Sequence, residues 1–202
     1  FKLTPKFLKK YPYKNYFPNM DYYHSFISRE KFIEETQNYC DKLFNELKMD
    51  DSDFVLLDQL LPPSNIGRYL RYVRNIKVII VDRDPRDVFI NMIKLNSYVL
   101  PKTSEEFVKV YKDHRKMAET KNSYENVMRV QFEDLIYKYD ETIKDIMKFV
   151  DLSNVNHVKP KKFFNPSVSI RNTKTWERYK EFEKDINIIE KELKEYLYEY
   201  EK

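Results

Sequence analysis

Three short apolar runs, each closing on acidic or amide side chains, constrain this chain more than any other feature. They are "DFVLLDQ" (residues 53–59), "KVIIV" (77–81) and "NVMRVQFEDL" (126–135). Their apolar residues come in succession rather than in alternation, as in strands covered on both faces. Helix-period segments lie between them. Ser28 opens one as N-cap, with Phe32, Ile33, Tyr39, Cys40, Leu43, Phe44 and Leu47 along its apolar stripe. Ser64 caps a short one, and "TSEE" (103–106) is a capping box for another, where His114 shares the face of Phe107, Val108 and Tyr111 and is expected to pack in the core. A last helix runs from about 181 to 198. Strands alternating with helices predict an α/β fold, a parallel β-sheet flanked by helices, in a single domain over residues 1–202. Ligands of such folds bind beyond the carboxyl ends of the strands. The chemistry is therefore expected just after Leu57, Val81 and Gln131.

Gly67 is the only glycine in 202 residues. A glycine-rich dinucleotide fingerprint, a Walker phosphate loop and a glycine-flanked serine elbow are thereby excluded, and no HExxH zinc pair is present. Cys40 is the only cysteine, so no disulfide framework or cysteine metal cluster forms within one chain, and a reducing, cytoplasmic setting is expected. The balance of 37 basic against 33 acidic residues is too even to mark a nucleic-acid binder; it suits a compact anionic ligand, and equally a well-solvated surface rich in lysine and glutamate. No apolar run reaches the length of an integral membrane segment.

The second strand runs directly into "DRDPRDVFIN" (82–91). Asp84 suits an N-cap and Pro85 the first helical position, where its missing N–H costs nothing. Asp87 falls in the first turn and complements the helix dipole. The charge block is thus a strand-to-helix elbow on the binding edge of the sheet. Arg83 is aimed at that edge, where a guanidinium can grip a phosphate through two parallel bonds. Asn91, two turns along, can offer its amide to the same anion. The pattern equally allows Arg83 and Asp87 to pair locally and only brace the elbow.

At these residues the chain resembles sulfotransferases that use 3′-phosphoadenosine 5′-phosphosulfate (PAPS). "VIIVDRDPRDVFIN" is similar to that family's 3′-phosphate motif, Arg-x-Pro-[Arg/Lys]-Asp-Val, with a serine eight residues after the arginine. Here the matching positions are Arg83, Pro85, Asp87 and Val88, and Asn91 stands where the serine would be. "VQFEDLIYKYDETIKDIMKFVDL" resembles the family's "YEDL" strand-to-helix segment. "SIRNTKTWERYKEFEKDINIIEKELKEYL" resembles its carboxyl end, where a basic loop returns to the 3′-phosphate before a Trp and a closing helix. "LLDQLLPP" resembles the bacterial, carbohydrate-type branch, in which an Asp-Gln pair ends the strand before the arginine strand. The likeness covers roughly residues 53 to 195.

The resemblance implies a P-loop NTPase-like sulfotransferase fold and transfer of a sulfonate from PAPS to a hydroxyl on a small molecule or saccharide, without a metal. Arg83 and Asn91 would hold the 3′-phosphate. Arg171, Asn172, Thr173 and Lys174 would close over it. Asp58, at the carboxyl end of the first apolar run, is the candidate base, with capping of the "LPPSN" turn as its alternative role, and Gln59 would orient the base or the acceptor. Trp176 would anchor the closing helix. The family also opens on a strand and a Ser/Thr/Gly-rich phosphosulfate loop, which nothing in residues 1–50 matches, so a start truncated at the N-terminus or a divergent form is expected. The sequence leaves two rivals. One is a kinase of related fold, which would need a glycine-rich loop and a magnesium ligand. The other is a non-catalytic module that keeps only the 3′-phosphonucleotide pocket.

Overall fold

The computed structural model describes residues 27–47, 54–95, 100–118 and 124–200. In chain order, α1 spans Arg29–Leu47, α2 Ile66–Leu70, β1 Val78–Asp82, α3 Pro85–Leu95, α4 Ser104–Ala118 and β2 Val127–Gln131. Then come α5 (Asp134–Tyr137), α6 (Tyr139–Phe149), a short turn of helix α7 (Pro166–Ser169) and α8 (Glu183–Glu192). Strands β1 and β2 pair in parallel, in register from Val78 with Val127 to Asp82 with Gln131. One further bond, from the Phe132 N–H to the Asp82 carbonyl (2.8 Å), carries the ladder past the strand ends. The result is a mixed α/β protein with a parallel strand pair flanked by helices, as the apolar runs predict.

The core lies where α3, α4 and α8 meet. Phe89, Ile90, Met92, Phe107, Val108, Ile186, Ile189 and Leu193 form one buried cluster, with Phe89 and Phe107 ring to ring at 5.5 Å. Burying side chains of this kind stabilises by about 1.5–3 kcal/mol each. Trp176 packs on the same cluster, in keeping with an anchor for α8. Local signals set the helix starts. The Ser28 hydroxyl accepts from the Lys31 N–H at 3.1 Å, and the Thr103 hydroxyl from the Glu106 N–H at 3.2 Å. At α2 the N-cap is Asn65, in the left-handed region with φ 57°, rather than Ser64. The one glycine serves packing: a Cβ on Gly67 would stand 1.8 Å from the Tyr124 hydroxyl.

Three further expectations fail. The run "DFVLLDQ" forms no strand over its described residues 54–59. Phe54 is 59% exposed and Leu56 96% exposed. An apolar run becomes a buried strand only when a neighbour pairs with its backbone and a layer covers its faces, and the described residues supply neither. The stripe of α1 is only partly covered by the described residues: Ile33, Cys40 and Phe44 are half-buried, and Phe32, Tyr39, Leu43 and Leu47 are exposed. That helix rests on the segment after α2 largely through polar contacts: Gln37 donates to the Arg71 carbonyl (2.8 Å) and Arg74 pairs with Asp41. His114 is exposed rather than packed in the core. It lies at the margin of the α4 stripe, where a 3.6-residue period does not discriminate inside from outside.

Candidate functional site

The elbow between β1 and α3 is assembled as its sequence predicts, and most of its charges are used internally. Asp84 is fully buried and its Oδ1 accepts from the Arg86 N–H at 2.9 Å, an N-cap bond. Pro85 opens the helix. Asp82 is paired with Arg115 (2.9 Å) and Arg129 (3.0 Å). The Arg86 guanidinium grips both oxygens of Asp84 (3.0 and 2.6 Å), reaches Glu190 at 2.7 Å and stacks on Trp176 at 3.9 Å. Arg86 therefore ties the elbow to α8.

Asp87 does more than complement a dipole. It is fully buried and accepts three bonds from the late basic loop, 87 and 88 residues away: the Lys174 N–H (3.1 Å), the Thr175 N–H (2.7 Å) and the Thr175 hydroxyl. Burial pushes its carboxyl above the usual aspartate range, while the Thr175 donors and the Arg83 charge act in the opposite direction. Lys174 adopts the left-handed conformation, φ 49° and ψ 34°, at a cost of about 1 kcal/mol or more for a non-glycine residue. The bonds from Asp87 hold it there.

Arg83 is thus left without an ion-pair partner among the described residues, and the local Arg83–Asp87 pair is not formed. Its Nη2 donates to the Asn172 carbonyl, and its guanidinium lies over the Phe132 ring at 5.2 Å. The Asn91 amide lies against the same guanidinium. With its oxygen turned toward Arg83 it accepts from Nη1 and, at 3.2 Å, from Nη2. Nε of Arg83 is buried with no hydrogen-bond partner among the described residues. Arg83 and Asn91 are both half-exposed, so this donor group stands at an open surface.

Of the other predicted site residues, Asn172 is brought in through its backbone carbonyl. Thr173 is buried, and its hydroxyl is already bonded to the Ile170 carbonyl (2.9 Å) and the Tyr137 hydroxyl (2.7 Å). Arg171 is exposed, and its carbonyl takes a bond from Arg178. The Lys174 ammonium lies 4.5 Å from the centre of the Tyr200 ring, beside a cavity of about 160 Å³ lined by Tyr137, Lys138, Lys174, Tyr198 and Tyr200. Asp58 and Gln59 are exposed and make no bond among the described residues, Gln59 with φ 54°. Among the described residues no group of His, Cys, Asp and Glu is placed to hold a metal ion.

Sequence reasoning missed Glu133 as part of the elbow. It is fully buried at the end of β2, and its Oε1 accepts the Asp84 N–H at 3.1 Å. Its Oε2 is buried without a hydrogen-bond partner among the described residues. Burial, then the neighbouring Asp84 and Asp87, push its carboxyl up to about 7. A folded-state pKa above the unfolded one stabilises fully below about pH 4.5, and that contribution is lost as pH rises through about 7. The shift corresponds to on the order of 3 kcal/mol. Glu133→Gln keeps the acceptor for Asp84 and turns an N–H toward the carboxylates. It is expected to raise Tm at pH 8, to leave it nearly unchanged at pH 5, and so to flatten stability against pH. A parallel pH dependence in wild type and variant would show that Glu133 does not titrate in this range.

These features define a mixed α/β protein whose arginine, amide and basic loop converge at the carboxyl edge of a parallel strand pair. A sequence model of the sulfotransferase family matches residues 36–157, more than half of the chain, and the chain belongs to that family. No curated protein and no solved structure matches it. The family match ends before the 171–175 loop, and the bonds from that loop to Arg83 and Asp87 agree with the return to the elbow that the resemblance implies. No described helix is long and apolar enough to cross a membrane.

Proposed function

We propose that this sulfotransferase takes its sulfonate from PAPS and delivers it to a hydroxyl of a carbohydrate. The observation that carries the reading is Arg83: a cation in no ion-pair contact among the described residues, at the carboxyl end of β1, flanked by the Asn91 amide and the 171–174 loop. An orphaned buried donor, Nε, fits a site whose complement is an anion. A phosphate there would be met by Arg83, by the Asn91 amide turned nitrogen outward, and by Lys174 and Arg171 from the loop. Asn91 has a use that a serine lacks. A half-turn of its amide exchanges an acceptor that engages Arg83 for a donor beside it.

When bound, the nucleotide supplies an activated sulfonate and a leaving phosphate. The residues of this chain provide positioning and positive charge, the main catalytic resources of in-line transfers of this kind. Asp58, with Gln59 beside it, is the acceptor-side base in this reading. Its exposure fits a group that meets a large, soluble acceptor at an open edge, and the alternation of Pro, Tyr and Phe in residues 1–27 suits sugar rings, although those residues, apart from 27, lie outside the described ones.

Thermal unfolding tests the donor. Adenosine 3′,5′-bisphosphate at a hundredfold excess over Kd is expected to stabilise by about 2.7 kcal/mol, roughly 5–10 °C for a chain of this size, and ATP–magnesium is expected to do far less. Stabilisation by ATP–magnesium alone would overturn the reading in favour of a kinase. A bisphosphate shift without any sulfonate transfer to saccharide acceptors would favour the non-catalytic module instead.

A further inference from the structure

Residues 152–176 contain no Asp or Glu, in a chain with 33 of them, yet carry Lys159, Lys161, Lys162, Arg171 and Lys174. Only the last few of these residues belong to the site above. The rest form an exposed loop leading to it. Lys159, Lys161, Lys162 and Arg171 are exposed and have no ion pair among the described residues, whereas Lys31, Lys77 and Lys112 elsewhere are paired. Interleaved with these cations are apolar side chains turned to water. Phe163 is 91% exposed and Val158 80% exposed. Val155, Val168 and Ile170 are each close to half exposed.

That exposure comes from a loop of defined shape. Phe164 stacks on Tyr139 at 6.5 Å and meets Phe132 edge-on at 6.2 Å. The Lys161 N–H donates to the Tyr139 hydroxyl at 3.1 Å. Asn165 caps α7 by accepting from the Ser167 N–H at 3.0 Å. With Phe164 held inward, its neighbour Phe163 projects outward beside Lys162, whose ammonium lies 4.9 Å from the Phe163 ring.

We propose that the loop spanning residues 155–171 docks the protein onto an anionic lipid surface. Cations alone would suit any polyanion. Exposed valines, an isoleucine and a phenylalanine next to lysines match a surface with negative headgroups above hydrocarbon. A soluble polyanion, a nucleic acid or a sulfated saccharide, offers Val155, Val158 and Val168 nothing in which to bury. Docking there would bring the Arg171–Lys174 end of the loop, and with it the arginine elbow, up to the interface. The inference does not depend on which sulfonate donor is used.

The test is co-sedimentation of the whole chain with phosphatidylcholine vesicles, against the same vesicles containing phosphatidylserine. Binding is expected only to the anionic vesicles. Each basic residue at such a surface is worth about fivefold, so the triple substitution Lys159→Ala, Lys161→Ala, Lys162→Ala is expected to weaken binding on the order of a hundredfold. Phe163→Ser should weaken it at least about tenfold and leave Tm unchanged, because the ring is exposed. No binding, or equal binding to both vesicle types, would overturn the proposal. So would binding to which Phe163→Ser is indifferent and which a soluble sulfated polysaccharide abolishes, since that would make the loop a polyanion site.

Discussion

Arg83→Ala is expected to lower affinity for adenosine 3′,5′-bisphosphate by at least about a hundredfold, roughly 3 kcal/mol, as two charge-assisted bonds to a phosphate are removed. The other charges of the elbow are engaged inside the protein: Asp82 with Arg115 and Arg129, Arg86 with Asp84 and Glu190, Asp87 with the 174–175 backbone. None is free to take over. Helix content by circular dichroism should not change, because the Arg83 guanidinium bonds to a loop carbonyl and lies against one amide, and neither helps to form α3. Arg83→Lys keeps the charge but not the planar fork, and its affinity should fall between wild type and the alanine variant. Unchanged affinity of the alanine variant by calorimetry would make Arg83 a brace for the 172 carbonyl and remove the support for a 3′-phosphate site.

Asp87→Ala should produce the largest loss of stability, about 3–5 kcal/mol, from leaving three donors without their acceptor in the interior. In a chain of this size that is about 10 °C in Tm. It should also weaken bisphosphate binding, because the bonds that Asp87 accepts from the Lys174 and Thr175 N–H groups help to hold Lys174 in its left-handed conformation. Asp87→Asn retains one good acceptor oxygen but turns an N–H toward a donor, so an intermediate effect is expected. Thr175→Val, which removes one of the three donors and its bond, should cost about 1 kcal/mol. A denaturant midpoint for Asp87→Ala equal to that of wild type would contradict the role assigned to this carboxylate.

Features whose partners lie within a few residues were legible in the sequence. Asp84 caps α3 through a bond to the residue two positions on, and Ser28 caps α1 through a bond three positions on. The parallel pairing of β1 and β2 was legible as well, because continuous apolar strands separated by helices have few other arrangements. The role of Asp87 was not, since a carboxylate in a first helical turn has the same local signature whether it faces solvent and the dipole or accepts bonds from residues 174 and 175. Glu133 was hidden for the same reason: "FEDL" suggests a helix start, while its oxygen in fact binds the Asp84 N–H 49 residues upstream. "DFVLLDQ" was misread because hydrophobicity signals a demand for cover without naming what provides it.

By itself, then, the sequence determined the elbow, its caps, the parallel strand pair and the family. Bonds across a few residues and the twofold or 3.6-fold placement of side chains are fixed by the covalent chain. Only the tertiary structure decided which charges of the elbow neutralise one another and which one is left over. That outcome depends on the distance between groups some ninety residues apart, and it is the folding of the basic loop onto Asp87 that occupies the carboxylate and leaves the Arg83 guanidinium in no ion-pair contact among the described residues.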